Sequence, residues 1–152
     1  MVRWSDQTCL AGDTIILMAD GTSRRIDSLR VGDRVACVRP DGTTGEDVIT
    51  YSDASAEKWG DERDVWTFGD GTTIVTIHPH EFYNVERGRM TYIADFTLGE
   101  HVRKIDGKEV ALVGHEVVRE RTRHYTIFTR DYNNYWANGI LTGNRYSTPI
   151  RF

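Results

Sequence analysis

At 152 residues the chain suits one domain, long enough to bury a core without metal or disulfide support. Its 39% hydrophobic and 28% charged residues are ordinary for a globular protein, and a net charge of −4, with Arg and Lys spread among Asp and Glu, offers no basic field to nucleic acid or an anionic membrane. Cys9 and Cys37 are too few for a disulfide framework, and sequence does not say whether they can pair.

From the N-terminus, Met1 to Thr8 is polar and lacks the apolar region of a signal peptide. Runs rich in β-branched and aromatic residues follow at 14–18, 34–38, 48–51, 65–68, 73–77, 110–113, 115–118 and 125–129. Between them stand turn signals: Asp20-Gly21, Asp41-Gly42, Gly69-Asp70-Gly71, Arg87-Gly88 and Asp106-Gly107. Asp-Gly between such runs favours tight hairpins, because glycine accepts the positive φ they need. Short helical turns are expected near 26–29 and 94–98, each followed by a Gly-acid pair, Gly32-Asp33 and Gly99-Glu100. The segments 26–33 and 93–100 echo each other and hint at an internal duplication. No apolar stretch approaches the roughly 20 residues of a membrane helix. The pattern is that of an all-β domain of many short strands, a soluble monomer.

Three clusters could carry chemistry. Cys9 stands just before the first strand, where its thiol can attack the carbonyl of Thr8 through a five-membered ring and replace the amide by a thioester. Taken singly, it reads equally as a buried apolar residue. In the segment 76–82, Thr76 can orient that peptide, and His78 or His80 can give the departing nitrogen its proton. Two histidines at i and i+2 also suit zinc, but no third ligand of comparable spacing is visible, and no metal or cofactor is expected. The third cluster runs from Asn133 to Asn144. An asparagine amide there can attack its own carbonyl, close a succinimide and cut the chain behind it, although Asn138-Gly139 and Gly143-Asn144 are also ordinary turn sequences.

Together these clusters resemble inteins and bacterial intein-like Hint (hedgehog–intein) domains. The likeness rests on Cys9 at a strand start, Leu17-Met18-Ala19-Asp20-Gly21 with Leu29-Arg30-Val31-Gly32-Asp33, the Thr/His segment, and the terminal Tyr135-Trp136-Ala137-Asn138-Gly139-Ile140-Leu141 before Asn144. It implies an all-β Hint-type horseshoe with pseudo-twofold duplication over residues 9–144, without an endonuclease insert. Residues 1–8 and 145–152 would then be flanking host segments. Cys9 matches the first nucleophile and Asn144 the cyclising asparagine. The family's Thr-x-x-His spacing fits neither histidine; His80 is favoured because His80-Glu81-Phe82-Tyr83 resembles the family's His-x-Phe-Tyr, with His78 the runner-up.

Four positions depart from the family. Gly143 and Asn133 stand where it has histidines, Thr126 where it has aspartate, and Arg145 where it has a Cys, Ser or Thr nucleophile. A guanidinium does not attack esters, so ordinary splicing lacks its acceptor. The expectation is autocatalytic N-terminal cleavage at Thr8-Cys9, resolved by water, thiol or amine, with slower Asn144 cyclisation or inefficient splicing. Its partners would be the chain's own flanking polypeptides and a thiol or amine acceptor, and Cys9 must stay reduced. The contrasting reading is a non-catalytic β-module on the same scaffold. A cysteine hydrolase acting on other molecules lacks the Cys-His-Asn order.

Overall fold

The computed structural model describes residues 9–77 and 79–152. Short strands dominate, and no α-helix occurs among the described residues. The first half holds β1 (Leu10–Ala11), β2 (Ile15–Leu17), β3 (Ser23–Arg25), β4 (Arg34–Val38), β5 (Thr44–Ser52), β6 (Trp59–Gly60), β7 (Arg63–Phe68) and β8 (Thr73–Thr76). The second holds β9 (Glu81–Asn84), β10 (Arg89–Tyr92), β11 (His101–Arg103), β12 (Glu109–Val118), β13 (Thr122–Tyr125), β14 (Ile127–Thr129), β15 (Asn134–Ala137) and β16 (Ile140–Gly143). A long curved sheet runs β3-β2-β15-β16-β9-β11-β12-β7-β8-β1-β13-β6, with β10 on β9, and a smaller sheet runs β14-β5-β4.

The expected duplication is present in detail. A 3-10 turn at Ile26–Ser28 after β3 answers one at Ile93–Asp95 after β10. Leu29 N–H bonds Ile26 O, as Phe96 N–H bonds Ile93 O; Gly32 N–H bonds Ile49 O, as Gly99 N–H bonds Leu112 O. Asp33 caps Arg30 N–H and Glu100 caps Thr97 N–H at the same point of each unit. Arg24 reaches Asp33 and the Ser28 carbonyl, while Arg87 reaches Glu100 and the Asp95 carbonyl. Gly32 and Gly99 share φ 96°, a conformation L side chains rarely adopt, which is why both turns carry glycine. The halves also exchange partners: β5 of the first pairs with β14 of the second, and β12 of the second pairs with β7 of the first.

Hairpin turns fall at the expected Asp-Gly steps, where Asp20 and Asp41 accept the N–H of Thr22 and Thr43. Two expectations need correction. Residues 110–113 and 115–118 form one strand, β12, interrupted by a register shift between Leu112 and Gly114. The run 125–129 is instead broken in two at Thr126, whose N–H is taken by the Asp53 carboxylate at 2.7 Å rather than by a neighbouring strand.

One apolar cluster spans both halves, with Leu10, Ile26, Phe82, Ile93, Leu112 and Tyr135 at its centre. A second, of Ala36, Val38, Tyr83, Trp136 and Leu141, lies toward the β4–β5 hairpin. The two halves share these apolar clusters, so they are packed against each other.

Candidate active site

Two strand pairs, one from each end of the chain, frame the site. β1 lies between β8 and β13, Leu10 facing Thr76 on one side and Tyr125 on the other. β16 lies between β9 and β15, with Gly143 opposite Glu81 and Asn134. Cys9 therefore heads a strand held on both edges, and Asn144 follows one held the same way.

Cys9 is wholly buried, packed on Ala11 and Ile77, and its carbonyl accepts Ile77 N–H at 3.2 Å. Its Sγ lies 3.3 Å from Thr126 Oγ1. Behind Thr126 stands an ion pair with one buried member: buried Asp53 takes Thr126 N–H on one oxygen and the half-buried Lys58 Nζ at 3.1 Å on the other. Burial pushes the Cys9 thiol up to about 11; the Thr126 hydroxyl opposes that, Asp53 adds to it and Lys58 offsets it. The sulfur is thus enclosed but not in purely apolar surroundings. Tyr135, fully buried, is in electrostatic reach of Cys9 and Asp53 and pairs across β15–β16 with Thr142.

Thr142 connects this region to His80. The buried His80 Nε2 is 2.6 Å from Thr142 Oγ1, while that hydroxyl donates to the Glu81 carbonyl at 2.6 Å. A hydroxyl has one proton, so Thr142 accepts from His80 and Nε2 carries hydrogen. Thr76 is also buried, and its Oγ1 receives the Trp66 indole N–H at 2.9 Å. Trp66 in turn stacks on His115, ring centroids 3.8 Å apart, and His115 bonds Asp64 at 2.7 Å. Thr8 and His78 lie outside the described residues.

At the other end, Asn144 Oδ1 accepts Tyr146 N–H at 2.8 Å, and Nδ2 is 3.4 Å from Asn133 Oδ1. Ser147 N–H donates to the Asn144 carbonyl at 2.9 Å, and Asn144 N–H donates to Ser147 Oγ at 3.0 Å. The 144–147 turn therefore begins with the bond between Asn144 and Arg145. Arg145 lies close enough to Glu81 to counter the upward push of burial on that carboxyl. A Cβ at Gly143 would run into the Ser147 hydroxyl and lie 2.7 Å from the Asn133 carbonyl, so this backbone has no room for a larger residue there.

Of the residues read from the sequence, Cys9 immediately precedes the Leu10–Thr76 pairing of β1 with β8, and His80 and Asn144 flank the β9–β16 pairing. The cysteines remain separate free thiols, Cys37 buried on β4 and pushed up to about 12 by burial. Among the described residues no group of three or more His, Cys, Asp or Glu is arranged to hold a metal ion, and no helix is long and apolar enough to cross a membrane. Sequence reasoning missed Asp53, which reaches Thr126 from 73 positions away, and Lys58, which pairs with Asp53. His124 is also buried here, opposite Ala11 and two positions from Thr126. An Asp beside an Ala-Ser step carries no local sign of such a role.

No protein-family model matches the sequence, nor does any curated protein. Solved structures do. The bacterial intein-like domain from Clostridium thermocellum matches with TM-score 0.76 at 21% identity, covering 91% of this chain and 99% of that one. The gp41-1 intein, carrying three substitutions, matches at 0.74 and 18%, over 90% and 99%. A DnaB intein from Synechocystis sp. PCC 6803 matches at 0.75 and 14%, over 90% and 98%. The chain has the all-β fold of inteins and intein-like Hint domains, and along nearly its whole length.

Proposed function

We propose that residues 9–144 are a self-processing domain in which Cys9 attacks the carbonyl carbon of Thr8. The observation that carries this reading is the Cys9 sulfur, set at the head of β1 against Thr126 and beside the Asp53–Lys58 pair. In the step, sulfur loses its proton and bonds to the Thr8 carbonyl carbon. The bond from that carbon to the Cys9 nitrogen breaks, and the nitrogen leaves protonated as an amine. A thioester replaces the amide. Water, a thiol or an amine then releases the N-terminal flank.

A thiol raised to about 11 is almost wholly protonated near neutrality, so its ionisation accompanies attack. Lys58 favours the developing thiolate, and Thr126 can hydrogen-bond it. His80, its Nε2–H held by Thr142, takes the sulfur's proton at Nδ1 and passes it to the departing nitrogen, with His78 the alternative. Thr76 orients the peptide, and Trp66 fixes the Thr76 hydroxyl.

Asn144 performs a slower second step. Its Nδ2 attacks its own carbonyl carbon, closing a succinimide; the bond to the Arg145 nitrogen breaks, and the proton lost from Nδ2 goes to that amine. The Ser147 N–H polarises the carbonyl under attack, while Nδ2 must first leave Asn133, and no histidine precedes the asparagine. Arg145 supplies no nucleophile for transesterification, so cleavage dominates over splicing.

The test is the domain between two folded tags, incubated with dithiothreitol and weighed by mass spectrometry. The N-terminal tag leaves wild type and stays on Cys9→Ala; equal retention by both would overturn the reading. It would leave a non-catalytic β-module, a role the enclosed, protonated thiol and the Gly143 and Arg145 departures would then suit. His80→Ala is expected to slow release more than His78→Ala, and the reverse order would move the proton donor to His78.

A further inference from the structure

Residues 145–152 do not leave the domain at Asn144 but run back over it, held by two loops and an apolar face. Buried Asp47 takes the N–H groups of Asp131 and Tyr132, and the carbonyls of that ordered loop receive Thr148: its N–H donates to Tyr132 O at 3.0 Å and its hydroxyl to Asp131 O at 3.2 Å. Ser147 Oγ donates to the next carbonyl, Asn133 O. Further on, Arg151 N–H donates to Pro40 O, in the β4–β5 turn, at 2.8 Å. Ile150 packs on the apolar cluster centred on Tyr83 and Trp136. Phe152 sits edge-on to Tyr83, centroids 5.0 Å apart, beneath the Arg103 guanidinium at 3.8 Å.

The domain is shaped for this path. Gly143 leaves the space that Ser147 fills, and at Gly42 a Cβ would meet the Arg151 carbonyl at 2.5 Å. Two glycines, two loops and one apolar face thus follow the same eight residues.

We propose that this face is a peptide-binding groove for the segment downstream of Asn144. It reads a peptide that turns at 144–147 and carries hydroxyl residues at the Ser147 and Thr148 positions, an aliphatic residue at Ile150 and an aromatic at Phe152. Resting on the proposed Asn144 scission, the groove keeps the released segment bound after its covalent link is cut. Backbone hydrogen bonds supply the register, and the Ile150 and Phe152 side chains supply the selectivity.

Two measurements test the groove. A fluorescein-labelled octapeptide of the 145–152 sequence is titrated into full-length chain carrying Ile150→Asp and Phe152→Ala, which weaken the chain's own segment. Saturable anisotropy is expected, with at least tenfold weaker binding when the peptide itself carries Ile150→Asp; equal binding of both peptides, or of neither, overturns the proposal. Hydrogen exchange on the unaltered chain does not depend on that variant folding. The Thr148 and Arg151 amides are expected to exchange at least tenfold more slowly than in the free peptide, and free-peptide rates at both would overturn it. Neither measurement needs the Asn144–Arg145 bond to break, so failure of scission and failure of the groove are told apart.

Discussion

At the scale of single residues, Cys9, the proposed nucleophile, has an interior residue's ionisation. Burial is the largest influence on its thiol, and Thr126 offsets only part of it. Because the folded thiol titrates near 11, it is the protonated form that predominates at neutral pH. Thiol-induced release of an N-terminal tag is therefore expected to accelerate about tenfold per pH unit from 7 to 9 without levelling; a plateau below 9 in single-turnover rates would show an earlier ionisation than the surroundings dictate. Thr126→Val removes the hydroxyl 3.3 Å from sulfur and is expected to slow release roughly tenfold while the fold persists. Asp53→Ala acts differently. It strips Lys58 of its ion-pair partner and the Thr126 N–H of its acceptor, and is expected to cost about 3 kcal/mol in urea denaturation.

At the scale of elements, the paired 3-10 turns make the two units comparable position by position. Glu100 is held down to about 2, first by the Arg87 side chain and then by the Thr97 N–H. Its folded form keeps its charge below the ordinary value, so its contribution to stability is complete above about 4.5 and is lost as pH falls from there through 2. Glu100→Gln should lower Tm at pH 7 and by much less at pH 2. Gly99→Ala meets no atom within 4 Å but keeps φ 96°, so the expected loss is the backbone term alone, about 1–2 kcal/mol. Much of this scale was legible in the sequence, because Asp-Gly steps, β-branched runs and the Gly-acid echo are local signals. Cys9, Thr76, His80 and Asn144 stand out in the sequence only through the family resemblance, from which the Thr/His spacing departs. The break at Thr126 was not, since the carboxylate that causes it comes from another element. Asn138 was rightly weighed as a turn residue: with Gly139 it makes the β15–β16 hairpin at positive φ. Trp59 is exposed beneath the Arg121 guanidinium.

At the scale of the whole molecule, the exchange of β7 and β14 means that neither half completes its own sheets. A cut in the exposed Asp106-Gly107 turn would leave the pieces joined through the β12–β7 and β14–β5 pairings and the shared core. Nicked protein is expected to elute from size exclusion at the intact position and to separate only in denaturant; separation in native buffer would place the cohesion within each half instead. The same exchange bears on descent. A single unit of this kind, standing alone before the doubling, would have exposed the edge that β14 or β7 now covers. Two identical copies trading that strand would satisfy both edges at once, so the doubled chain supplies within one polypeptide what a single unit would need a second copy to provide.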